Sequence, residues 1–99
     1  MKVSPMAYAQ KMVSPSQFEC LRDLWNKESH WNPKSRNKVP VYQVRNGKRV
    51  PLHAFGIAQL LGEKSKDPLT QIDKGLRYVF NRYSTPCHAL NWHKRHGWY

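Results

Sequence analysis

In Leu24-Trp25-Asn26-Lys27-Glu28-Ser29-His30-Trp31-Asn32-Pro33, the apolar face of a helix ends on a carboxyl group. Phe18, Leu21, Leu24, Trp25 and Glu28 follow one another at helical spacing. Glu28 is thereby set one turn beyond Leu24 and Trp25 on the same face. A carboxyl in that place is partly desolvated, which favours its neutral form and raises its pKa. An acid that keeps its proton near neutral pH is what general acid catalysis requires. The plain structural alternative is a helix-end Glu turned out to solvent. Upstream, Ser14-Pro15-Ser16-Gln17 supplies a start: Ser14 caps, Pro15 fits the first turn and Gln17 completes a capping box. The helix is expected to run to about Ser29, with Asp23 and Lys27 paired on its outer face. Pro33 keeps it from running much further.

Ahead of this helix, residues 1–13 predict an N-terminal arm or short helix, with Ser4-Pro5 as cap and first-turn pair. After it, the period changes between Asn37 and His53. Val39, Val41, Tyr42, Val44 and Val50 are strand formers, and Asn46-Gly47 signals a type I′ hairpin turn. Such a turn pairs Val44 with Arg49 and Tyr42 with Pro51, with Pro40 and Pro51 marking open edges. The segment Ala54–Gly62 predicts a buried turn entering a short helix, with Gly56 allowing close backbone approach. Gln59, its single polar side chain, either satisfies backbone groups or faces a ligand. Asp67-Pro68 opens a further helix whose core stripe is Leu69, Ile72, Leu76, Val79 or Phe80, and Tyr83. A second stripe on it, Gln71, Gly75, Tyr78 and Arg82, carries a mid-helix glycine that costs about 1 kcal/mol relative to Ala. A neighbouring backbone or a bound ligand must approach that face closely. Thr85-Pro86 caps a last helix, and Gly97 ends it.

Ninety-nine residues allow one domain with a modest core, and the aromatic content argues against a disordered chain. A net charge of +11 implies an anionic partner: nucleic acid, an acidic membrane or an anionic cell-wall polymer. The basic residues are dispersed, so the charge alone selects none of these. No apolar run is long enough to span a bilayer, and no signal-like core is seen near the start. Cys20 and Cys87 match no metal spacing; they are two unrelated thiols or one disulfide closing a long loop. The spacing of His, Cys and acidic residues indicates neither a metal nor a cofactor. Of the six acidic residues, Glu63 is the one plausible second carboxylate beside Glu28.

Taken in order, three groups of segments resemble the soluble lytic transglycosylase-like branch of the lysozyme superfamily. The first is Gln17–Leu21 with Leu24–Pro33, and the second is Ala54–Gln59. The third joins Asp67–Ile72, Gly75–Val79 and Arg82–Leu90, with Gly97-Trp98-Tyr99 closing. The resemblance implies an α+β, mainly α, lysozyme-like domain over residues 14–99 with a small β-hairpin. It implies cleavage of the peptidoglycan glycan strand between N-acetylmuramic acid and N-acetylglucosamine, with Glu28 as the single catalytic acid. The product is a 1,6-anhydro sugar, formed without water, unlike the two-carboxylate glycosidase scheme. Ser29, Gln59, Gln71 and Tyr78 fall in the matched segments as candidate substrate-binding residues. By the same likeness, Tyr78 lies close enough to the acid to hydrogen-bond it. The inserted 37–53 segment departs from the family's small-residue turn before Gly56.

The resemblance also supports pairing of Cys20 with Cys87, since both cysteines fall in matched motifs. A disulfide implies an oxidising setting, extracellular or on a virion. With no signal peptide seen, a phage particle or a piece of a longer chain is favoured. The expected partner is the glycan strand, with anionic cell-wall polymers as further partners, no specific nucleic acid, and a monomeric state. Two alternatives stand beside this reading: a hydrolytic muramidase (lysozyme) using Glu63 or a held water, and a non-catalytic basic module for wall polymer or nucleic acid.

Overall fold

Proline-led caps begin every helix. A computed structural model of the chain describes residues 4–99. In it Ser4, Ser14, Asp67 and Thr85 each accept a first-turn N–H, and each is followed by proline. The helices are α1 (Pro5–Gln10), α2 (Pro15–Ser29), α3 (Pro68–Tyr83) and α4 (Pro86–His96). Between α2 and α3 lie β1 (Val41–Arg45), β2 (Lys48–Leu52), β3 (Ala54–Phe55) and β4 (Leu60–Leu61), paired as two separate antiparallel hairpins. The architecture is α+β, with about half of the chain helical. Of the expected N-terminal arm, Met1–Val3 lie outside the described residues. The rest forms α1, which packs on the body through the fully buried Ala9 and a 2.7 Å bond from the Tyr8 hydroxyl to Asp73.

The core gathers on α2. Phe18, Leu21, Leu24 and Trp25 are buried against Ile72, Leu76 and Val79 of α3, Ala89 and Leu90 of α4, and Ile57 and Ala58. On α3, Val79 takes the inward place and Phe80 is 43% exposed. The predicted tightness at Gly75 comes from protein packing. A Cβ there would sit 2.6 Å from the Ala58 Cβ and 2.7 Å from the Trp25 ring. α4 lies beside α2, joined near its start by the Cys20–Cys87 disulfide, whose Cα atoms are 4.9 Å apart.

The β1–β2 hairpin has the register that Asn46-Gly47 predicts, Val44 opposite Arg49 and Tyr42 opposite Pro51. Both turn residues have positive φ, 51° and 76°. Nearly every hairpin residue is exposed, and the Arg49 guanidinium covers the Tyr42 ring at 4.6 Å.

Three local expectations are corrected. Residues 54–62 contain no helix. Gly56 and Gln59 take positive φ, 86° and 54°, and fold the segment into the tight β3–β4 hairpin. The Gln17 side chain forms no capping box; its Oε1 accepts from the Cys87 backbone N–H at 3.0 Å and so caps α4 instead. Asp23 and Lys27 form no ion pair, and Asp23 stands in solvent.

Candidate active site

Glu28 occupies the last turn of α2, just before the chain turns sharply. His30 and Trp31 both take left-handed φ, 53° and 58°, an arrangement unusual for two consecutive non-glycine residues. The turn is held by packing: Trp31 is buried edge-on against Trp25 at 5.2 Å, and its indole N–H donates to the Arg22 carbonyl. Ser29 is buried and donates to the Ile57 carbonyl at 2.6 Å. Its hydroxyl is thus spent on joining the end of α2 to the β3–β4 turn, not turned to a ligand.

The Glu28 side chain is 17% exposed, and burial raises its pKa from the ordinary 4.5 to about 7. Its Oε1 lies 3.1 Å from Nε2 of His93, on α4. Burial lowers the pKa of His93, and the nearby charge of Lys27 lowers it further. Each partner is therefore pushed toward its neutral form. Near neutral pH the contact is a carboxyl–imidazole hydrogen bond more than an ion pair, because burying both charges costs more than their attraction returns.

The Glu28 charge is also felt at Tyr99. This tyrosine accepts from the Trp25 indole N–H at 3.0 Å and donates to the Ala58 carbonyl. Burial first, and the Glu28 charge second, hold its hydroxyl well above the ordinary pKa, so it stays protonated. Tyr99 also lines a cleft of about 380 Å³ with Gln43, Gln59, Leu60, Tyr78 and Arg82. Glu28 does not line that cleft; Tyr99, which feels its charge, does.

The other sequence candidates divide. Gln59 is on the cleft. Its amide N–H groups donate to the carbonyls of Ser35 and Gly56 at 2.9 and 2.8 Å, so the side chain braces the turn and leaves only its oxygen for a ligand. Tyr78 is on the cleft wall, edge-on to Tyr99 at 5.5 Å, and makes no hydrogen bond to Glu28. The group in contact with the acid is His93. Gln71 is 2% exposed and wholly committed: it accepts from Ile57 N–H and donates to Pro33 and Ser65 carbonyls. It fills the space that the absent Cβ of Gly56 leaves, since a Cβ there would lie 2.5 Å from its Oε1. Glu63 bonds Lys74 at 3.1 Å and lines a separate groove with Arg36 and His53, away from Gln59 and Tyr78.

His93, Tyr99 and the hairpin's Gln43 were not singled out as site residues in the sequence. The first had one available signal. If Cys20 joins Cys87, α4 lies beside α2, and two turns past Cys20 the facing residue on α4 is near His93. Among the described residues no three His, Cys, Asp or Glu side chains gather to hold a metal, and no helix is long and apolar enough to cross a membrane. Comparison with protein-family models, with curated proteins and with solved structures finds no match.

Proposed function

We propose that the chain is a peptidoglycan lytic transglycosylase in which Glu28 acts first as acid and then as base. The observation that supports this reading is one largely buried carboxyl with a pKa of about 7, whose charge is felt at Tyr99 on the wall of a cleft. At neutral pH such a group is about equally able to give and to take a proton. Glu28 protonates the glycosidic oxygen as the bond from C1 of muramic acid breaks. The muramic C6 oxygen then closes on C1, and its proton passes to the Glu28 carboxylate. The acid is regenerated and no water is consumed. His93 holds the carboxyl in place through both steps, and Gln59, Tyr78 and Gln43 line the path of the glycan.

One acid is favoured over two because Glu63, the candidate second carboxylate, is paired with Lys74 in a separate groove. A hydrolytic muramidase of the two-carboxylate kind needs the second group across the scissile bond. The Cys20–Cys87 disulfide supports a place of action outside a reducing cytoplasm, at the cell wall or on a virion. Mass spectrometry of muropeptides released from purified sacculi tests the reading. Anhydro ends that vanish in Glu28→Gln are expected. Reducing ends would make the enzyme a hydrolase, and the absence of any Glu28-dependent product would leave a binding module.

A further inference from the structure

The β1–β2 hairpin contributes nothing to the core and reaches the cleft only through Gln43. Its turn fixes which backbone groups are spent. In a two-residue type I′ hairpin the residues flanking the turn exchange both backbone hydrogen bonds, and the exchange recurs at every second pair. With the observed register, Arg45–Lys48, Gln43–Val50 and Val41–Leu52 are the bonded pairs. Val44–Arg49 and Tyr42–Pro51 alternate with them, and their N–H and C=O groups point away from the neighbouring strand. Pro51 agrees with this, since it falls where the ribbon uses no N–H.

The two outer edges therefore differ. On β2 the outward groups belong to Arg49 and Pro51, and the proline has no N–H to offer. On β1 both Tyr42 and Val44 direct an N–H and a C=O outward, and no other backbone group among the described residues bonds them. β1 also contains neither the proline nor the lysine that commonly blunts an open edge. Tyr42 and Val44 share one face of the ribbon, 53% and 73% exposed, with the Arg49 guanidinium over the Tyr42 ring. Arg45 and Lys48 share the other face. The charge is one-sided: between Glu28 and Glu63 stand six lysines and arginines and no acidic residue. The ion pairs among the described residues lie elsewhere, so Arg45, Lys48 and Arg49 have no carboxylate partner.

We propose that the outer edge of β1 takes up an extended acidic segment of another polypeptide as a third strand of the ribbon. Backbone groups of Tyr42 and Val44 would pair with it, and the alternation of a strand would sort its side chains. Apolar ones come to the face of Tyr42 and Val44, and carboxylates to the face of Arg45 and Lys48. Other occupants fit less well. A second copy of this chain would bring like charge against like charge, at +11 each. Nucleic acid and phosphate polymers match the cations but have no use for exposed valines or a bare strand edge. A bilayer accepts valine and tyrosine, but its hydrocarbon does not tolerate an open sheet edge.

The test needs no catalysis and so stands apart from the proposed reaction. The probe is a short synthetic peptide alternating glutamate and valine, titrated into the whole chain while amide exchange is followed by NMR. The same peptide with lysine in place of glutamate is the control. Expected is protection of the Tyr42 and Val44 amides by the acidic peptide alone, with the Gln43 and Arg45 amides protected from the start. Val44→Pro deletes an outward N–H without touching a bonded pair and should weaken binding about tenfold, the worth of one hydrogen bond. Arg45→Glu leaves the edge intact and reverses its charge, so it should weaken binding at least as much even if the proline disturbs the hairpin. Unprotected Tyr42 and Val44 amides at millimolar peptide would overturn the proposal, as would binding that survives Arg45→Glu. Equal protection by the lysine peptide would remove the acidic partner. Protection of the same two amides by anionic vesicles, by single-stranded DNA or by concentrating the chain, with none from the peptide, would assign the edge to lipid, nucleic acid or a second copy instead.

Discussion

Glu28→Gln should make stability less dependent on pH, and its size follows from the burial of one carboxyl. The amide is nearly isosteric and stays neutral throughout. In the parent, the folded carboxyl titrates at about 7 and the unfolded one at its ordinary 4.5. Between these values the folded state binds more protons, so stability falls as pH rises. The favourable contribution is complete below pH 4.5 and is lost as pH rises through 7. At about 1.36 kcal/mol per pH unit the whole span is worth about 3 kcal/mol. Solvent reaching the exposed part of the side chain screens some of this, leaving about 2–3 kcal/mol. Parent and variant should therefore have similar stabilities at pH 4.5. By pH 8 the variant should be ahead by that amount, which is about 10–20 °C in melting temperature for a chain of this size. His93 has its pKa lowered, so its own effect runs the other way, with stability lost as pH falls below the unfolded value. Because His93 touches Glu28 at 3.1 Å, its titration differs between the two proteins. The gap at pH 7 and 8, above the lowered pKa of His93, carries the least of that difference. Urea titrations at pH 4.5, 6, 7 and 8 read the difference directly, and a constant gap across that range would refute the buried-acid assignment.

Three further outcomes are expected. Reducing the Cys20–Cys87 bond releases a loop spanning 67 residues and should cost about 4 kcal/mol in the chain-entropy model, with two thiols titrating in denaturant only after reductant is added. Gly75→Ala gains about 1 kcal/mol of helix propensity but drives a methyl into Ala58 and Trp25, an overpacking cost of about 1–3 kcal/mol. A net loss in the urea midpoint is expected, and a stabilised variant would mean that the interface yields more easily than the distances imply. His93→Ala admits water to the Glu28 carboxyl and lowers its pKa, so the basic limb of kcat/KM should move to lower pH by about one unit. A lowered melting temperature with an unmoved limb would assign His93 to packing alone.

What could be read from the sequence was local. Ser-Pro, Asp-Pro and Thr-Pro pairs set the helix starts because cap and first turn are chemically determined within four residues. Asn46-Gly47 set the hairpin register because a type I′ turn admits only one pairing. The 54–62 segment misled because its apolar composition suits a buried helix and a buried turn equally, and the positive φ of Gln59 has no residue-type signal. Gln17 misled for a different reason: its local partner and its distant one, Cys87 N–H, offer the same hydrogen bond, and the disulfide brings the distant one close. Glu28 was legible from its helical face. His93 is 65 positions along the chain from it, and no pattern within either helix connects them.

The disulfide also sets a mechanical tolerance. Cys20 precedes Glu28 by eight residues and Cys87 precedes His93 by six, so the two helices advance side by side in the same direction. At 1.5 Å per residue, the acid and its imidazole sit about 12 Å and 9 Å beyond a covalent pivot. A swing of α4 by about 10° around that pivot would move His93 by about 1.6 Å, enough to part a 3.1 Å hydrogen bond. The sulfur bridge is the fulcrum of a short lever whose working end is the acid. Parting that bond would change the surroundings that set the proton affinity of Glu28.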